Sequence, residues 1–124
     1  MTRIKKATTS RPPAEIMNII RLRDTQCVYC REAMLSQWDR MNPGNSPTLE
    51  HLNHRQDWDS VGSYMREGKP VTDIVAICCG DCNSSRGAKP LREWFKTTYC
   101  MKRKINTSTV ANVVQRYMEQ YERC

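Results

Sequence analysis

Two pairs of cysteines, Cys27-x-x-Cys30 and Cys79-x-x-Cys82, constrain this chain more than any other feature. A two-residue spacing lets both thiolates of a pair reach one tetrahedral ion at metal–sulfur distances of about 2.3 Å, so two such pairs make a four-sulfur site suited to Zn²⁺. The pairs are separated by everything from Arg31 to Cys78, longer than in an ordinary zinc ribbon, and a sub-structure must therefore be threaded between the halves of the site. Four thiolates close the coordination shell against water and substrate, which makes the ion structural and sends any chemistry elsewhere. Cys78 adjoins Cys79 and competes for the same ligand position, with the two-residue spacing favouring Cys79. A thioredoxin-like dithiol would want βαβ surroundings, whereas each pair here sits on a turn. Cys100 and Cys124 have no close partner.

A staple of this kind fits the composition. With 124 residues, 39% of them apolar and a single phenylalanine, the chain has material for one domain with a thin core. The net charge of +7 is split, residues 1–26 summing to +4, residues 27–82 to −3 and residues 83–124 to +6. Basic flanks around an acidic centre suit a phosphate backbone as partner, or else serve solubility. Residues 1–13 carry charges and prolines without an apolar run, and no stretch approaches the ~20 apolar residues that span a bilayer, so no membrane partner is expected. Closely paired cysteines in such a chain point to a reducing cytoplasm.

Residues 1–12 read as a flexible basic arm and 13–124 as one domain ending in a helix. Pro12 and Pro13 introduce a helix to about Asp24, with Ile16, Ile19, Ile20 and Arg23 at helical spacing. Thr48 to Leu52 and Val71 to Cys78 read as strands flanking a polar insertion. From Asp81, placed to cap free amides, a helix begins, and Pro90 opens another over PLREWFKTTY. Val110, Val113, Val114, Tyr117 and Tyr121 define a last amphipathic helix capped by Thr107 or Ser108, its apolar stripe serving the core or a homodimer face. The pattern is α+β.

Between and beside the cysteine pairs lie LEHLNHR (49–55) and CGDCNSSRG (79–87). From about Leu22 to Trp94, through RDTQCVYC, TLEHLNH and DIVAICCGDCNSSRG, the chain resembles the HNH endonuclease family. The resemblance implies a ββα-metal core stapled by the four-cysteine zinc site and flanked by helices, and hydrolysis of DNA phosphodiester bonds. Carried over by position, it makes His51 the general base, a role that a histidine's ordinary pKa of about 6.5 suits. Glu50 and Asn83 would be ligands of a catalytic Mg²⁺ or Mn²⁺, and Asp73 would brace the loop bearing His51. Consecutive strand residues face opposite ways, so Glu50 and His51 can serve one site only where the strand bends or ends. His54 is the alternative base or a phosphate contact, and Arg86 and Lys89 are candidate phosphate contacts beside the site. Trp94, Phe95 and Tyr99 are core candidates. The resemblance places such an enzyme in a bacterial or phage-infected cytoplasm. The competing reading is a zinc-stabilised DNA-binding module without catalysis.

Overall fold

The computed structural model describes residues 12–53 and 70–122, so His54, most of the basic arm and nearly all of the insertion lie outside the described residues. Helix α1 spans Ala14–Arg23, with Pro13 at its N-cap in extended geometry, a residue that cannot donate an amide and needs none there. Its buried stripe is narrower than the isoleucine spacing suggested: Met17 and Ile20 are buried, whereas Ile19 and Leu22 are 57% and 82% exposed. The helix stops at Asp24, whose side chain is committed elsewhere.

Strands β1 (Pro47–His51) and β2 (Val75–Cys79) form an antiparallel pair with Leu49 opposite Ile77, Glu50 opposite Ala76 and His51 opposite Val75. The second strand is shorter than VTDIVAIC promised, because Val71–Asp73 forms a 3₁₀ turn after Pro70 before the chain extends. The outer edge of β2 would offer unpaired backbone groups. Residues 23–28 cover it: Asp24 Oδ2 accepts the Ile77 amide at 3.0 Å, the Val28 amide donates to the Ile77 carbonyl at 3.2 Å, and Arg23 Nη2 donates to the Val75 carbonyl at 2.9 Å. Arg23 also grips Asp24 through both carboxylate oxygens, at 2.7 and 2.8 Å.

Helix α2 (Gly80–Arg86) follows β2 without a linker. Cys79, not Asp81, is its N-cap, and Asp81 lies in the first turn. Gly80 permits the tight passage, since a Cβ there would collide with the Pro43 carbonyl oxygen. PLREWFKTTY is two helices rather than one, α3 (Leu91–Trp94) and α4 (Thr98–Arg103), because the Thr97 hydroxyl accepts the Cys100 amide and starts a fresh helix. The last helix, α5 (Asn112–Tyr121), begins later than Thr107 or Ser108 would cap it, since the Ala111 amide is held by the Val28 carbonyl at 2.9 Å. Its Val113, Val114, Tyr117 and Met118 are buried, as are Trp94, Tyr29, Leu52, Ile74 and Leu91. Tyr29 and Trp94 meet edge to face at 4.8 Å in the centre of this core. Among the described residues the fold is thus a small α+β arrangement of a two-stranded sheet and five helices, and no helix is long and apolar enough to cross a membrane.

Candidate functional site

The sulfurs of Cys27, Cys30, Cys79 and Cys82 all lie within 4.8 Å of one another, with Cys30 and Cys79 3.9 Å apart. Two local structures bring them together. The first is a turn closed by the Cys27 amide on the Glu32 carbonyl and the Arg31 amide on the Cys27 carbonyl, with Arg31 in the left-handed region at φ 67°. Within it the amides of Tyr29 and Cys30 point at the Cys27 sulfur, at 3.4 and 3.5 Å, which favours a thiolate. The second is the junction of β2 and α2, which supplies Cys79 from the strand end and Cys82 from the first helical turn. Hydrogen bonds from Cys30, Cys79 and Cys82 push the Cys27 thiol far below its usual range, and the same crowding around one thiolate pushes Cys79 and Cys82 up. Four sulfurs in such a cluster are positioned to bind a metal ion such as zinc. Cys78 is outside the cluster: it points to the other side of the strand beside the Thr48 hydroxyl at 3.6 Å, and burial keeps it a thiol. Tyr99 donates to the Cys82 sulfur at 3.3 Å, with the Arg103 guanidinium 3.7 Å above its ring.

A few residues away, β1 ends and a cleft of about 190 Å³ opens, lined by Leu49, Glu50, His51, Asn53, Asn83, Arg86, Gly87 and Ala88. Glu50 and His51 are consecutive, yet both line it because β1 terminates at His51. Asn83 reaches it from the first turns of α2, and its Nδ2 donates to Thr48 Oγ1 at 2.9 Å and to the Leu49 carbonyl at 3.2 Å. With the nitrogen end committed to the strand, the amide oxygen is the end left for a ligand. Gly87, which also lines the cleft, ends α2 at φ 55°, a backbone state that favours glycine.

Arg86, read from the sequence as a phosphate contact, has a different place. It is 2% exposed, and its guanidinium is spent inward. Nη1 donates to Glu50 Oε2 at 2.8 Å, to Tyr29 Oη at 3.1 Å and to the His51 carbonyl at 3.2 Å; Nη2 donates to the Leu52 carbonyl at 2.9 Å and Nε to the Lys89 carbonyl at 2.8 Å. Tyr29 completes the cluster by donating to Glu50 Oε2 at 2.5 Å. Burial pushes the Glu50 carboxyl up while Arg86 pulls it down, leaving it raised; burial and then the Glu50 charge push the Tyr29 phenol well above its usual range, so it remains a donor. Burial opposes the Arg86 charge, but Tyr29 and Glu50 outweigh it and hold the guanidinium protonated. Both of these donors sit on Oε2, which leaves Oε1 as the oxygen available to a ligand.

Removing one partner of a buried, hydrogen-bonded ion pair strands the other charge. Arg86→Met is therefore expected to cost about 3–5 kcal/mol of stability, read as a fall in the urea midpoint at unchanged slope. An exposed arginine would cost almost nothing.

Asp73 is the last residue of the 3₁₀ turn before β2 and is not among the cleft-lining residues; its amide donates to the Pro70 carbonyl at 3.0 Å. Lys89 is exposed at the C-terminal side of α2, its Nζ 3.2 Å from the Ser85 carbonyl. His54 lies outside the described residues. Sequence reasoning missed the Tyr29–Glu50–Arg86 cluster, although Asn83 and Arg86 stand three residues apart and must share a helix face. No family model, characterised protein or solved structure matches this chain.

Proposed function

We propose that the chain is a metal-dependent DNA endonuclease of the HNH type, its four-cysteine cluster a structural zinc site and the β1–β2–α2 unit a ββα-metal core. The observation that carries this reading is the convergence of Glu50, His51 and Asn83 on one cleft beside the cluster. Carboxylate and amide oxygens are the donor set of a hard cation, and two protein ligands leave most of an octahedral shell for water and phosphate. Mg²⁺ or Mn²⁺ held by Glu50 and Asn83 would supply positive charge where the scissile phosphate and the leaving oxygen become more negative.

His51 takes the proton from the attacking water at its imidazole. Its main chain is fixed by pairing with Val75 in the sheet and by the Arg86 bond to its carbonyl, so the ring is presented from a rigid strand end. Attack at phosphorus breaks the bond to the 3′-oxygen, giving a 5′-phosphate and a 3′-hydroxyl. Lys89, exposed beyond the cleft rim, suits a flanking phosphate, and the basic segments 1–26 and 83–124 suit steering toward DNA. Asp73, in the 3₁₀ turn that precedes β2, would brace the loop bearing His51 through the adjoining Ile74 carbonyl, which accepts the Leu52 amide at 2.8 Å.

Supercoiled plasmid incubated with the zinc-loaded protein and Mg²⁺ or Mn²⁺ is expected to become nicked or linear, and EDTA is expected to stop the conversion. Binding to plasmid without cleavage under either ion would instead support a non-catalytic zinc-stabilised DNA-binding module.

A further inference from the structure

The turn carrying Cys27 and Cys30 does more than hold two thiols. Its third residue, Tyr29, is fully buried and sends its hydroxyl out of the turn to Glu50 Oε2 at 2.5 Å, while its ring stays against Trp94 at 4.8 Å. Arg86 Nη1 bridges the same two groups, at 2.8 Å to Glu50 and 3.1 Å to Tyr29. A carboxylate has two oxygens and one torsion that exchanges them. Two donors on Oε2, one neutral and one charged, hold the carboxylate in a single orientation and leave Oε1 for a ligand in the cleft that Glu50 lines. Neither donor is free to follow a rotation, because Tyr29 is locked between two cysteines of the metal cluster and Arg86 is anchored on three backbone carbonyls.

We infer that Tyr29 is a positioning residue for the cleft: its hydroxyl, set by the cysteine turn, aims Glu50 Oε1 at a divalent cation. This rests on the function proposed above. It means that the four-sulfur site contributes to the cleft through one hydrogen bond, not only through the stability of the fold. Groups that orient a metal-binding side chain commonly cost 10–100-fold in metal affinity when removed.

Tyr29→Phe keeps the ring and deletes the hydroxyl. In the full-length, zinc-loaded variant, Mn²⁺ affinity measured by electron paramagnetic resonance without DNA is expected to weaken by about 10–100-fold. Zinc content should be unchanged, and plasmid cleavage should fall at limiting Mn²⁺ but recover at saturating Mn²⁺, which a merely structural loss would not allow. Wild-type Mn²⁺ affinity in the variant would overturn the positioning role and leave the nuclease reading intact. Loss of zinc or of the fold would also overturn it, since the hydroxyl would then be part of the scaffold. Absence of Mn²⁺ binding by the wild type would overturn both.

Discussion

Cys82→Ser is expected to lose its zinc and to be unfolded at 25 °C, seen as less than one tenth of a zinc equivalent by elemental analysis and no cooperative thermal transition. Structural zinc sites contribute apparent binding energies of about 10–16 kcal/mol at neutral pH, because the site does not pre-exist in the unfolded chain. A domain of this size has net stability of about 5–15 kcal/mol, so losing most of the metal term exceeds what the core can carry. Cys82 is fully buried where β2 turns into α2, and two of its three partner thiols, Cys27 and Cys30, lie on a turn outside the sheet. Cys78→Ala is the matched comparison: it removes a buried thiol one residue from Cys79, on the opposite side of the strand, and should keep full zinc. A Cys82→Ser protein that melts like wild type would show that the cysteine cluster does not staple the fold.

The cysteine cluster was legible because ligand spacing is a local property: two residues between thiols define a turn whatever surrounds it. Even Cys79 over Cys78 followed from spacing alone. Strand positions were legible for a related reason, since β-branched runs bounded by turn residues leave few alternatives. The ends of elements were not. Val71–Asp73 carries strand-forming residues yet turns, and α5 starts at Asn112 because the Ala111 amide bonds Val28, more than eighty positions earlier in the chain. Thr97 splits what reads as one helix, a capping signal hidden among apolar and aromatic neighbours.

Arg86 shows the deeper limit. In sequence it is one of several basic residues after Asn83, and charge suggests solvent. Its burial is decided by Glu50 and Tyr29, which are distant in the chain and meet it only when the cysteine turn, β1 and α2 come together. Helical spacing did contain a hint, because Cys82, Asn83 and Arg86 fall on neighbouring faces of one short helix, and the first two already point inward. A cation on that face needs an anion, and Glu50 is the buried carboxylate across from it.

If the cleft between β1 and α2 hydrolyses phosphodiesters with His51 as base, replacing that one side chain removes the base and little else. General-base catalysis contributes about 10²–10⁴-fold. Alanine removes the imidazole but leaves Glu50, Asn83 and Arg86, and the main-chain pairing of His51 with Val75 does not depend on the side chain. Strand end, ion pair and cysteine cluster should therefore persist. The measurement is the rate of supercoiled plasmid cleavage in Mg²⁺ by zinc-loaded wild type and His51→Ala at equal concentration, with zinc content and melting temperature determined on the same samples. His51→Ala is expected to cleave about 10²–10⁴-fold more slowly, with full zinc and a melting temperature close to wild type; cleavage at the wild-type rate by a folded, zinc-replete His51→Ala would rule out His51 as the base.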